Sequence, residues 1–163
     1  MAEANSPDTD LRHLYREFNR VCCEFDQLYR NAAMRMGLSD SAFQILMGVY
    51  DLGEGCTQSQ ICDYVCLGKQ TISSSVKKLK QQGLIELRRE SGVRGVGLFL
   101  TAEGKRAVER RVSPVVEADV RSLSLLGGER ARTLVELSRL YLNGFEAELA
   151  DVTFPDAYVP EGR

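Results

Sequence analysis

The chain has a single histidine, His13, no Cys-x-x-Cys pair, no glycine-rich phosphate loop and no apolar run long enough to cross a bilayer. Each absence removes a class. Tetrahedral zinc needs a set of cysteine and histidine ligands that one histidine and scattered cysteines do not supply, so no metal is expected. No nucleophile motif or paired-carboxylate constellation accompanies His13, so neither an enzyme nor a cofactor is expected. The first ten residues, "MAEANSPDTD", are acidic and polar, with no basic region leading into an apolar stretch. They do not read as a secretory signal, and the expected location is the cytoplasm, away from membrane. Internal repeats and low-complexity segments are missing too.

What is present has ordinary globular proportions. The 163 residues are 44% hydrophobic and 27% charged, which suits one folding unit over 1–163 with a real core. Five cysteines, Cys22, Cys23, Cys56, Cys62 and Cys66, are an odd number and read as free thiols. The net charge of −2 hides an asymmetry. Between Gly68 and Arg94 seven cations face two anions, so that segment carries +5 and the remainder −7. A phosphate responds to the local field and not to the total.

Apolar residues Leu11, Leu14, Phe18, Val21, Phe25, Leu28 and Ala32 alternate steps of three and four, which predicts a helix with a coiled-coil-like seam. Tyr15, Cys22 and Tyr29 widen that stripe. A second helix is predicted after Ser39 as N-cap, carrying Phe43, Leu46, Met47 and Tyr50 and ending at Gly53 and Gly55. Thr57 and Gln60 fit a capping box opening a short helix through Ile61 and Val65. "CLGKQ" then forms a tight turn containing Gly68, and a further helix buries Ile72, Val76 and Leu79 before Gly83 stops it. "LIELRRE" and "VGLFLT" flank "SGVRG" as a hairpin, with Val96, Leu98 and Leu100 on one face and Gly97, Phe99 and Thr101 on the other. Thr101 caps the next helix, in which Pro114 predicts a kink or break. "LLGGER" separates a last helix bearing Leu134, Leu137, Tyr141, Phe145 and Leu149, and the tail from Thr153 is expected to fray.

Short helix, tight turn, second helix and basic hairpin are the order of a winged helix-turn-helix. With Ile72, Val76 and Leu79 inward, the helical step of about a hundred degrees sends Gln70, Ser73, Ser74, Lys77 and Lys78 outward or to the flank. Hydroxyls and an amide suit base edges, and lysines suit phosphates. Lys69, Gln70 and Thr71 open the helix where its dipole favours an anion. A lysine-rich face is, taken alone, more often simply solvated; the capped neighbour and the basic hairpin favour duplex DNA. Arg88, Arg89 and Arg94 are the hairpin cations. Arg88 and Arg89 lie on opposite strand faces, so one of them is expected at DNA, with Arg94 at the wing tip.

The segments "GLSDSAFQILMGVYDL", "TISSSVKKLKQQGLIELRRE" and "LFLTAEGK" resemble, in this order and over nearly the whole chain, the multiple-antibiotic-resistance regulator (MarR) family. Leu79, Gly83, Leu84, Ile85, Leu100, Thr101 and Gly104 are its most telling positions. The resemblance implies a mainly α fold with a small β-hairpin wing, in which 37–105 form the winged helix-turn-helix lobe and 8–36 and 106–152 the dimerisation helices. It implies a homodimer with two recognition helices roughly 34 Å apart on a near-palindromic operator, and a repressor's role. A wing arginine in many members pairs with an acidic residue, which "SGVRGVG" lacks; the wing role is carried to Arg94.

Broad apolar terminal helices and the few contacts one recognition helix offers lead to the same dimer, the competing reading being a long intramolecular core. The resemblance also implies a small-molecule effector pocket between dimerisation helices and winged lobe, for which Tyr15, Phe18, Phe43, Met47 and Tyr50 are candidates; core packing explains all five equally. Cys22 and Cys23 are candidates for thiol oxidation, because some members sense oxidants through a first-helix cysteine, although buried inert thiols explain them as well. A protein-interaction module of the same fold, binding another regulator instead of DNA, is the alternative function.

Overall fold

A computed structural model describes residues 7–89 and 95–153. The wing tip, with Arg94, and the tail beyond Thr153 lie outside the described residues. The fold divides into two compact units, residues 1–117 and 118–163.

The first unit holds α1 (Pro7–Arg35), α2 (Asp40–Leu52), α3 (Gln58–Val65), α4 (Lys69–Gln81), β1 (Ile85–Arg88), β2 (Gly97–Leu100), α5 (Ala102–Ala107), a π-helical turn (Val108–Val112) and the start of α6 (Ser113–Ser124). Its core is built from Phe43, Ile45, Leu46 and Val49 of α2, Ile61 of α3, Ile72, Val76 and Leu79 of α4, Ile85, Leu98 and Val112. Among the described residues of α1 only Ala33 is buried, with Tyr29 packed against the core. Gly48 lets α2 and α3 approach, since a Cβ there would stand 2.7 Å from Ile61 Cδ1.

β1 and β2 pair antiparallel, Ile85 opposite Leu100 and Arg88 opposite Gly97. All four β2 residues are buried, so the expected two-faced strand is corrected. The chain between α2 and α3 covers its other side: Gly55 N donates to Leu98 O at 2.7 Å, and Leu98 N to Cys56 O at 2.8 Å. Gly97 faces Gly55 so closely that a Cβ would meet its carbonyl oxygen at 2.7 Å. The Glu54 carboxylate accepts from Leu100 N at 3.3 Å and pairs with Lys105 Nζ at 2.8 Å, tying this edge to α5.

α5 starts at Thr101, whose Oγ1 accepts from Gly104 N at 3.0 Å and donates to Gly83 O at 2.5 Å. Of the kink or break expected at Pro114, the break does not occur and the irregularity is a local change of the hydrogen-bond ladder. The ladder widens to i→i−5 in the preceding turn, with Ser113 N–H donating to Val108 O, and α6 continues beyond it. Arg111 reaches from that turn to Met36 O at 3.3 Å, just past the end of α1.

The second unit contains the end of α6 and α7 (Gly127–Ala150). No residue of α7 is buried, and Leu134, Leu137, Leu140, Tyr141, Phe145 and Leu149 are all exposed in the single chain. Among the described residues no helix is long and apolar enough to cross a membrane.

A Cβ at Gly104 would lie 1.8 Å from Leu84 O, a backbone atom that cannot step aside. Gly104→Ala is expected to destabilise the fold by about 1–3 kcal/mol or more, as overpacking against a fixed neighbour does. Urea unfolding checks this; a midpoint equal to the parent's contradicts the packing described.

Candidate nucleic-acid interface

Thr57 N donates to Gln60 Oε1 at 2.8 Å and Thr57 Oγ1 accepts from Gln60 N at 3.3 Å, the reciprocal pair expected from the sequence. α3 ends at Cys66, whose φ of 53° is left-handed. The sharp reversal therefore falls there and not on Gly68, whose φ of −62° and ψ of 145° are ordinary extended backbone. Tyr64 donates to the Asp51 carboxylate, binding the outside of α3 to the end of α2.

α4 is divided lengthwise. Ile72, Ser75, Val76 and Leu79 are buried, while Lys69, Gln70, Thr71, Ser73, Ser74, Lys77, Lys78 and Lys80 are exposed. The buried Ser75 hydroxyl is shared with Ser41 Oγ on α2 at 2.8 Å, which leaves neither polar group stranded. Ser74 Oγ donates to Thr71 O at 2.9 Å, so its hydrogen is engaged within the helix and its lone pairs face outward. No side chain caps the start of α4, and the first backbone N–H groups of a helix have no acceptor inside it. Gly83, with φ 71°, closes the other end as Leu84 N donates to Leu79 O at 3.0 Å.

Two residues escaped sequence reasoning. Gln58 and Ser59, in the first turn of α3, line a groove together with Cys62, Lys69 and Ser73 of the two helices. The capping box already fixed where that turn begins, so their position beside α4 was within reach of the pattern.

Arg88 Nη2 donates to Glu86 Oε1 at 2.5 Å, and its guanidinium lies 4.4 Å from the centre of the Phe99 ring. This explains why Phe99 is buried on a strand expected to show it. Arg89 is exposed.

The five candidate effector residues are not alike. Phe43 is fully buried, its ring 6.0 Å from that of Tyr29, and Met47 packs against the same core. Tyr50 donates to Glu117 Oε1 of α6 at 3.2 Å. Tyr15 and Phe18 are exposed on α1. Cys22 and Cys23 are both exposed as well, so the single chain does not supply the burial expected of inert thiols. Among the described residues no group of three His, Cys, Asp or Glu is placed to hold a metal ion.

The family model described as MarR family matches residues 36–94, which span α2 to the wing. The winged lobe belongs to the MarR family. No curated protein sequence matches the chain. Among solved structures, the MarR family regulator from Neisseria meningitidis is 24% identical with a TM-score of 0.66, covering 86% of this chain and 96% of its own. A MarR family transcriptional regulator from Streptomyces coelicolor, solved in complex with DNA, is 19% identical with a TM-score of 0.67, covering 86% and 92%. The transcription regulator MarR from Oenococcus oeni shares 13% identity at a TM-score of 0.67, covering 80% and 98%. These likenesses confirm the mainly helical fold with a two-stranded wing around the MarR-family lobe.

The hydrogen bond to Asp51, with lesser effects of burial and of the carboxylate's charge, pushes the Tyr64 phenol up to about 12. A raised value favours the protonated form in the folded lobe. The contribution is fully present below the ordinary tyrosine value of about 10 and is lost as pH rises from there through about 12. In a tyrosinate absorbance titration one tyrosine is expected to ionise late. Tyr64→Phe removes that late step and Asp51→Asn returns it to the main group; a single step unaffected by either change contradicts the tether.

Proposed function

We propose that the chain is a DNA-binding transcriptional regulator that acts as a homodimer, with α4 of each protomer seated in successive major grooves of a pseudo-palindromic operator. The observation that carries this is the lengthwise division of α4, whose apolar side is fully buried while its outer side presents Lys69, Gln70, Thr71, Ser73, Ser74, Lys77 and Lys78. Short hydroxyl side chains let the helix backbone approach base edges, and the lysines neutralise phosphates on either wall. Arg88 and Arg94 flank the duplex from the wing. The MarR-family match and the shared fold with a regulator solved on DNA support this reading.

Dimerisation accounts for the apolar faces. Leu11, Leu14, Val21, Phe25 and Leu28 on α1 and Leu134, Leu137, Phe145 and Leu149 on α7 are exposed in one chain, far more apolar surface than a monomer leaves in water. A helix as lightly supported as α7 gains its stability from packing, which a second copy supplies. Repression follows by occupancy of the operator. An effector in contact with Tyr15, Phe18 or Tyr50, or thiol oxidation at Cys22 or Cys23, acts by favouring a dimer in which the two α4 helices no longer match the groove spacing.

Affinity for operator DNA is expected to fall steeply with salt, and Lys77→Ala combined with Lys78→Ala to flatten the log–log slope by about one unit for each phosphate that is no longer neutralised. A slope near zero in the parent supports the alternative of a protein-interaction module, which the net charge of −2 favours. Gly68 provides a second test, since its backbone suits an N-cap and a Cβ there meets nothing within 4 Å. Gly68→Asp is expected to stabilise the fold by roughly a few tenths of a kcal/mol while weakening DNA binding, because its carboxylate takes the phosphate's place. DNA affinity equal to or above the parent's contradicts a phosphate at the α4 start.

A further inference from the structure

Of the three adjacent serines on α4, Ser73 is exposed, Ser74 Oγ bonds within its own helix to Thr71 O, and Ser75 alone turns inward. Ser75 is 6% exposed and is the one buried polar side chain among the described residues. Its Oγ lies 2.8 Å from Ser41 Oγ, the hydroxyl of a half-buried residue in the first turn of α2. That turn is itself pinned, since Ala42 N donates to Ser39 Oγ at 3.3 Å and Gln44 Nε2 to Asp40 Oδ2 at 2.9 Å. The other buried residues of α2 and α4 are apolar or glycine. An apolar side chain at position 75 would complete the stripe of Ile72, Val76 and Leu79, and a pair of apolar groups of the same shape is no less stable than a buried polar pair. What the hydroxyls add is direction.

Apolar packing is not directional, and a core of the right volume loses its uniqueness before it loses its stability. A hydroxyl pair has narrow limits of distance and angle. The outer ends of side chains lie roughly 5–6 Å from a helix axis, so a turn of α4 by about 10° carries them about 1 Å. We propose that Ser41 and Ser75 are a positioning pair that fixes the rotational phase of α4, and that this phase sets how sharply the protein discriminates one duplex sequence from another, not how strongly it holds DNA as such. The consequence for DNA rests on the function proposed above; the phase lock does not. The distinction follows from what each outward group needs. Attraction of phosphates by Lys69, Lys77 and Lys78 tolerates such a shift, because a charge on a flexible stem follows its partner. Hydrogen bonds from Gln70 and Ser73 to base edges do not, because a shift of about 1 Å takes a good bond outside its distance range.

The test compares the full chain with its Ser41→Ala, Ser75→Ala and doubly substituted variants. Two duplexes serve as probes: the one most enriched by the parent from a random-sequence pool, and a scrambled duplex of the same composition. Removing both hydroxyls strands no polar group, so urea unfolding of the double variant is expected to match or exceed the parent's midpoint. Its affinity for the selected duplex is expected to fall about tenfold, with affinity for the scrambled duplex and the log–log salt slope unchanged. Either single change is expected to give most of that loss, because the bond needs both partners, and Ser41→Thr, which keeps the hydroxyl, to preserve discrimination. Without DNA, NMR relaxation dispersion is expected to show millisecond exchange at the α4 amides of the double variant and not of the parent. Undiminished discrimination in the double variant, an equal loss on both duplexes, or α4 amides as quiet as the parent's overturns the proposal. Should the double variant not fold, Ser41→Ala, at the half-buried end of the bond, carries the same comparison. A parent that prefers no duplex overturns the DNA-binding reading instead, and the exchange measurement still decides the phase lock.

Discussion

Everything the molecule presents outward from α4 depends on how that helix is prevented from rotating. Ile72, Val76 and Leu79 are sunk into the core beside Ile45, Leu46 and Ile61, and the Ser75–Ser41 hydrogen bond adds a directional link that an apolar stripe alone lacks. A helix is a rigid cylinder, so fixing one side fixes the other. Turning α4 by one residue's step would drive a lysine into the core or leave the Ser41 hydroxyl without its partner. The exposed arrangement of lysines, hydroxyls and amide is thus a consequence of packing underneath it.

The surrounding lobe is held by short-range devices, each satisfying backbone groups that a helix end would otherwise leave open. The Thr57–Gln60 box sets where α3 starts, Cys66 turns the chain, Gly83 ends α4, and Thr101 receives the chain from β2 while gripping Gly83 O. The wing is stiffer at its base than two short strands imply, because the α2–α3 connection hydrogen-bonds along β2 and Glu54 joins it to Lys105. In physical terms α4 and the wing rest on one shared frame.

Much of this was legible in the residues, and the legible parts share a cause. Periodic burial on α2 and α4, the capping box, the Thr101 cap and the glycine stop at Gly83 are local patterns, set within a few residues along the chain. The features that escaped reading are long-range or depend on side-chain direction. The second covered face of β2 comes from the α2–α3 chain and from Arg88 lying over Phe99, and no alternation of residue types encodes either. The turn expected over "CLGKQ" is present, but its left-handed residue is Cys66 and not the glycine, because a non-glycine residue accepts that backbone here. The Pro114 break was averted by a π turn, a one-residue change of register invisible to a fixed helical period. In the site, the outward set on α4 could be read from periodicity, whereas Gln58, Ser59 and the groove they share with Cys62 needed the packing of α3 on α4.

Charge and apolar surface are divided within the chain: the basic stretch coincides with α4 and the wing, and the uncovered apolar faces with α1 and α7. That division fits a molecule whose ends meet a second copy and whose middle meets a polyanion. Selecting bound fragments from a pool of random duplex DNA addresses the claim most directly, because one readout reports both binding and the symmetry of the site. Two fixed α4 helices predict enrichment of an inverted repeat with half-sites about one helical turn, 10–10.5 base pairs, apart. Enrichment of an unrepeated sequence, or of nothing above the starting pool in dilute salt, would contradict it.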